Sequence, residues 1–201
     1  MNKYLKKILF KIILYLSNNR LRIFIYNRFF NYVIGRNVKI GKTIINCKKV
    51  TLSDDVIIGD ANFISCGTLI LNEKSRILTN NTIIGSSKFE MGKDSRLIYN
   101  HKIDLANDVT IGNNSWVAGD YSQIWTHGSL KTKLGKDLSV HIGDNVYLGS
   151  GVLIAPGVTI NSNNLIGLGS VVLSSIEKQY CIVSGNPAKV VKENINWREN
   201  W

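Results

Sequence analysis

Between Ile142 and Val172 an aliphatic residue recurs at every sixth position, through Ile142, Leu148, Ile154, Ile160, Ile166 and Val172. Small residues follow four of these (Gly143, Gly149, Ala155 and Gly167), with Asn161 and, after the closing Val172, Leu173 the exceptions. Val146, Val152 and Val158 take a second apolar position four residues after each leading aliphatic. The same register runs through Leu105, Ile111 and Val117 and through Leu52, Ile58, Ile64 and Ile70, and Ile34-Gly35 and Ile40-Gly41 open the series. An α-helix needs apolar spacing near 3.6, and hairpins need alternation flanked by turn pairs, so neither accounts for this period. A prism does. Each six-residue unit makes one short strand and one corner, with the aliphatic inward and the small residue where neighbouring coils crowd. Three units close a coil of about 18 residues, and stacked coils bury a continuous aliphatic column.

The register slips between Leu78 and Leu97, where Ile84-Gly85 and Met91-Gly92 are imperfect units. It vanishes between Gly128 and Ser139, a polar stretch expected to protrude as a loop between coils. Loops on a rigid scaffold are where function concentrates.

Charge divides the chain sharply. Residues 1–53 hold twelve Lys or Arg and no acid, whereas the rest holds thirteen bases against fourteen acids. The whole excess of +11 therefore sits in the N-terminal quarter. A nucleic-acid-binding fold would spread its bases over the main domain, so that class is excluded. Cys47, Cys66 and Cys181 are odd in number and lack ligand spacing, and read as reduced, buried thiols of a cytoplasmic protein.

In residues 1–33 Leu5, Ile8, Leu9, Ile12, Ile13 and Leu16 recur at helical spacing among lysines. Ser17-Asn18-Asn19 is expected to break this helix before a second one over Arg20–Tyr32. The longest uncharged run, Ile12–Asn19, is far short of the ~20 residues of a membrane span. Lys11 and the want of a small-residue cleavage site argue against a signal peptide. Two expectations stand for this extension: a helical hairpin packed on the main domain or a neighbour, or a peripheral anchor on anionic lipid at the inner face of the membrane. Three segments follow: the extension at 1–33, a repeat domain at 34–175 and a closing segment at 176–201.

Three features of the sequence resemble the hexapeptide-repeat acyltransferases, in particular the galactoside, maltose and polysaccharide O-acetyltransferases. They are the repeats, IWTH ahead of a loop followed by HIGDNVYLGSGVLIAPGVTI, and the closing Gly185–Lys189 segment GNPAK. The resemblance spans about Ile34 to Lys192. It implies an all-β fold, a left-handed parallel β-helix, here with an N-terminal helical extension. It further implies a homotrimer with active sites between subunits, and acetyl-CoA as co-substrate.

Acyl transfer to a hydroxyl needs a base for the departing proton, and imidazole suits that work near neutral pH. The chain offers His101, His127 and His141. His127 closes the IWTH segment and matches the family's catalytic histidine. Asp120, one coil side earlier, is the candidate to orient it. His141 is turned outward by strand alternation, and together with His101 is a candidate for acceptor contact. By the resemblance, Tyr147 lies along the pantetheine arm, Ser150 contacts CoA with strand amides beside it to receive an oxyanion, and Lys189 and Lys192 meet the CoA phosphates. Where the family carries Thr-Lys after Val172, this chain has Leu173-Ser174, and Lys178 is the candidate to supply the missing charge.

The expected function is O-acetylation of a sugar or a capsule- or lipopolysaccharide-type glycan by direct transfer in a ternary complex. No metal is expected, and no cysteine shares the His127 motif to serve as nucleophile. A nucleotide-sugar N-acyltransferase shares fold and donor and remains an alternative, as does a non-catalytic β-helix scaffold. A zinc site of carbonic-anhydrase type is disfavoured, because the three histidines lack short ligand spacing.

Overall fold

The computed structural model describes residues 3–128 and 137–199. Most of the expected loop between Gly128 and Ser139 lies outside the described residues. From Val33 onward the chain winds as a parallel β-solenoid. Its strands, two to five residues long, form three sheets of seven, nine and seven strands among the described residues. These are the faces of a prism, visited in fixed order. In the first coil, Val33–Ile34 lies on the first face, Lys39–Ile40 on the second and Ile44–Ile45 on the third. Every aliphatic from Ile142 to Val172 in the six-residue register is buried, as are Val146, Val152 and Val158.

The slipped register has a simple cause. The step along the first face is 18 residues from Val33 to Thr51, then 19 from Thr51 to Ile70 and 20 from Ile70 to Glu90. The longer coils carry four-residue strands, so the inward phase shifts by one. Leu69 and Leu71 point inward where Ile70 was expected, and Ile83 replaces Ile84. Where the first face turns into the second, one residue per coil adopts positive φ: Asn37, Asp55, Lys74, Asp94, Asn114, Asn145, Asn163 and Tyr180. Asn and Asp tolerate this left-handed geometry best. It also aims their N–H groups at the coil before, as in Asp55 to the Arg36 carbonyl (2.9 Å) and Asn114 to that of Lys93 (2.8 Å).

Both helices of the extension are present. The first, α1, runs Lys3–Tyr15 and the second, α2, runs Asn19–Phe30. Asn18 caps α2, its side chain accepting from the Arg20 and Leu21 amides, and Asn31 ends it in a left-handed turn, two residues before Val33. The hairpin closes the first end of the solenoid. Leu9, Ile13, Ile25 and Tyr26 are buried there. Tyr26 donates its hydroxyl to the Thr43 carbonyl (2.8 Å), and buried Arg22 donates to the carbonyls of Ile40 and Leu16. No described helix is long and apolar enough to cross a membrane.

At the far end Ile182–Gly185 joins the second face in parallel, and Ala188–Lys192 folds back antiparallel to it. Cys47, Cys66 and Cys181 are free and buried.

Candidate functional site

His127 sits where the fifth coil leaves the third face, just after the strand Gln123–Ile124, on the way to the first face at Val140–Ile142. Its Nδ1 lies 2.9 Å from Oδ2 of Asp104, on the strand Lys102–Leu105 one coil below. The same carboxylate oxygen accepts from the Thr126 amide (3.1 Å), and the Thr126 hydroxyl lies 3.0 Å from it. Asn107 in turn donates its backbone N–H to the Thr126 hydroxyl (2.9 Å) and its side-chain amide to the Thr126 carbonyl (2.6 Å). Burial would push the Asp104 carboxyl up, but the hydrogen bonds from His127 and Thr126 outweigh it and hold it below the usual carboxylate range.

An ionised Asp104 fixes the His127 tautomer with the proton on Nδ1 and leaves Nε2 as the basic nitrogen. The Trp125 ring meets His127 edge-on at 5.4 Å, held by Lys102 over its face at 4.9 Å and by its own hydrogen bond to Gln123 (3.1 Å). A cleft of about 340 Å³ opens here, lined by Trp125, His127, Leu153, Pro156, Val171 and Leu173 among others. His127 itself is half-exposed.

The carboxylate at His127 is thus Asp104, and the expected Asp120 stands elsewhere. Asp120 ends the second-face strand Trp116–Asp120, and its charge acts on His101. His101 is 1% exposed, so it has no surface with which to meet an acceptor. It belongs instead to a buried polar ladder at the corner between the second and third faces. There each residue accepts the backbone N–H of the next: Thr43 from Asn62, Asn62 from Asn81, Asn81 from His101, and His101 Nδ1 from Ser122 (3.1 Å). Burial pushes the His101 pKa down to about 4, which keeps it neutral. His141 does face outward on the first face, 2.8 Å from the Thr110 hydroxyl, and is not part of the His127 cleft lining.

The residues expected at CoA gather around the second face. The ring of Tyr147 meets Trp116 at 6.3 Å and Trp197 at 5.3 Å, beside a cleft of about 380 Å³ lined with Leu165, Trp197 and Arg198. Trp197 is tied down by a hydrogen bond to the Asn145 carbonyl (2.7 Å). Lys189 and Lys192 are exposed on the last strand of that face. Ser150 is at the next corner, packed so closely on Gly119 (φ +61°) that a Cβ there would strike its hydroxyl. The flanking Gly149 and Gly151 amides already donate to the carbonyls of Ile166 and Asp120, so they are not available to an oxyanion. Lys178 pairs with Glu193 at 2.6 Å.

In one chain these two groups stand apart. His127 occupies the corner between the third and first faces, and on a three-sided prism that corner lies opposite the second face.

Residues 139–174 match the bacterial transferase hexapeptide model, as six repeats. These residues carry the hexapeptide repeat, and part of the chain is similar in sequence to a sugar O-acetyltransferase. Galactoside O-acetyltransferase of Escherichia coli (strain K12) is 34% identical over 118 residues, which are 56% of this chain and 57% of that protein. The chain thus spans little more than half the length of that relative. The solved structure of the polySia specific acetyltransferase NeuO aligns with a TM-score of 0.57 at 27% identity, covering 83% of each chain. Galactoside acetyltransferase in complex with coenzyme A aligns with a TM-score of 0.51 at 21% identity, covering 98% of this chain and 82% of that one, a likeness of fold.

Proposed function

We propose that this chain is an acetyltransferase that moves the acetyl group of acetyl-CoA to a hydroxyl of a sugar or polysaccharide unit, with His127 as general base. The observation that carries this reading is the Asp104–His127 hydrogen bond beside an open cleft. Asp104 is the positioning residue and His127 the one that meets the acceptor. The acceptor hydroxyl gives its proton to Nε2 of His127 as its oxygen attacks the thioester carbonyl. The tetrahedral intermediate collapses by breaking the C–S bond, and the imidazolium returns its proton to the departing thiolate. Asp104 stabilises the imidazolium in between, as a carboxylate does in any such pair.

The donor's place in this reading is the second face of a neighbouring copy in a homotrimer. Tyr147 and Ser150 line the pantetheine arm there, and Lys189 and Lys192 meet phosphate. Lys178, engaged by Glu193, contributes less. Sugar acceptors are favoured by the names of the relatives, galactoside and polysialic acid acetyltransferases among them.

The test is CoA release by the purified protein with glycan and amino-sugar acceptors. Release is expected to require a hydroxyl acceptor and to fall at least about a hundredfold in His127→Ala. Turnover only with amines would make it an N-acyltransferase. Neither CoA binding nor turnover would leave a scaffold.

A further inference from the structure

The outward side of the N-terminal hairpin carries apolar surface that the solenoid does not cover. On α1, Leu5, Ile8 and Ile12 recur at intervals of three and four, which puts them on one side of the helix, and they are 43%, 54% and 42% exposed. Leu9 and Ile13, on the adjoining stripe of the same helix, are turned inward and buried against the first coil. On α2, Leu21 and Phe24 are 48% and 59% exposed, while Ile25 and Tyr26 are buried. Lys3, Lys7, Lys11, Arg20 and Arg28 are exposed around this surface. Among the described residues none of the five is in an ion pair. The first acid in the sequence is Asp54.

We infer that this face docks on an anionic lipid bilayer. An apolar row of about 10 Å along the helix axis suits shallow insertion at the headgroup boundary, and a cationic surround with no acid suits a negative leaflet. Long lysine stems let the charges reach the headgroups while Leu5, Ile8 and Ile12 enter the acyl boundary. A second copy is the weaker occupant. Two such caps face to face would oppose their cations with no carboxylate in either residue 1–53 segment to neutralise them.

Docking through the cap holds the solenoid by its first coil. The His127 cleft, four coils further along, then stands about 20 Å from the cap. If the chain trimerises as proposed above, cyclic symmetry puts three caps at the same end, and their contacts reinforce one another. The docking itself draws on none of the residues of the His127 cleft, so either property can fail without the other.

Flotation of the full chain with vesicles decides it. Binding is expected to vesicles of phosphatidylcholine with phosphatidylglycerol, to weaken at high salt, and to be absent with phosphatidylcholine alone. The double variants Ile8→Glu/Ile12→Glu and Lys7→Glu/Lys11→Glu are each expected to lose at least about tenfold in binding. All four positions are exposed, so melting temperature and CoA release with a soluble acceptor are expected to hold. Three results would overturn the inference: no vesicle binding, equal binding to neutral vesicles, or binding of Ile8→Glu/Ile12→Glu at the wild-type level. So would lipid-independent self-association abolished by the same variant, which would identify a second copy as the occupant.

Discussion

At the scale of single residues, the arrangement around His127 turns on one carboxylate doing two things. Asp104 Oδ2 receives the imidazole Nδ1–H and the Thr126 backbone N–H together. An amide with its carbonyl oxygen in that place still accepts both donors but carries no charge to set against a protonated imidazole. Asp104→Asn is therefore expected to lower kcat by about a hundredfold through lost stabilisation of the imidazolium. KM for acetyl-CoA is expected to change little, since Asp104 is remote from the second face. Steady-state kinetics separate the two parameters, and a loss confined to KM would remove Asp104 from this role. The pair was hidden in the sequence because its members are 23 residues apart, a separation with meaning only once coil length is known. Lys102 pairs with Gln123 and Ile103 with Ile124, which brings Asp104 alongside Trp125, two residues before His127. A coil of 18 residues, as the clean repeats suggested, would have misplaced it.

At the scale of elements, the repeats were legible where coils keep six residues per side, as from Ile142 to Val172, and blurred where a strand gains a residue. Corner chemistry carried a second signal that the apolar register ignores. Asn62, Asn81 and His101 stand at equivalent positions of successive coils, each presenting an acceptor to the next backbone N–H. His101 lies outside the cleanest repeats, and its ladder neighbours are of other residue types, Asn81 and Ser122, so the sequence offers it as a candidate for acceptor contact rather than as a corner residue. This ladder makes a pH prediction. The folded pKa of His101, about 4, lies below the unfolded value of about 6.5. Between those values the unfolded chain takes up a proton that the folded chain refuses, so stability falls as pH falls through that window. The loss between pH 7 and pH 5 is about 2 kcal/mol from this one group. In His101→Asn the Oδ1 atom can accept the Ser122 N–H, as Asn62 and Asn81 do for theirs, and the variant is expected to be flatter over that interval. Asp104, also held low, gives up its contribution only below the ordinary carboxylate range and does not confuse the comparison. Denaturant titration of both proteins at the two pH values measures the difference, and equal slopes with pH would mean that His101 is not held neutral.

At the scale of the whole molecule, the prism itself separates the proposed base from the proposed donor groove. A side chain at the corner between the third and first faces cannot reach ligands on the second face of its own coil, because the packed aliphatic column lies between them. In the proposed reading, Tyr147, Lys189 and Lys192 then serve the His127 of another copy, and each proposed site takes residues from two subunits. Such division has a consequence that a self-contained site lacks. His127→Ala retains an intact second face, and Tyr147→Ala/Lys189→Glu/Lys192→Glu retains an intact base. Each is expected to be inactive alone at low acetyl-CoA. Co-expressed in equal amounts and assembled at random into closed trimers, they pair an intact base with an intact neighbouring face at about one interface in four. Co-purification through two different tags keeps only mixed trimers, each with one such interface in three, so acceptor-dependent CoA release at about a third of wild type is expected from the purified mixture. A co-purified mixture as inactive as its parents would place both groups in one subunit's site, against the separation that the three faces impose.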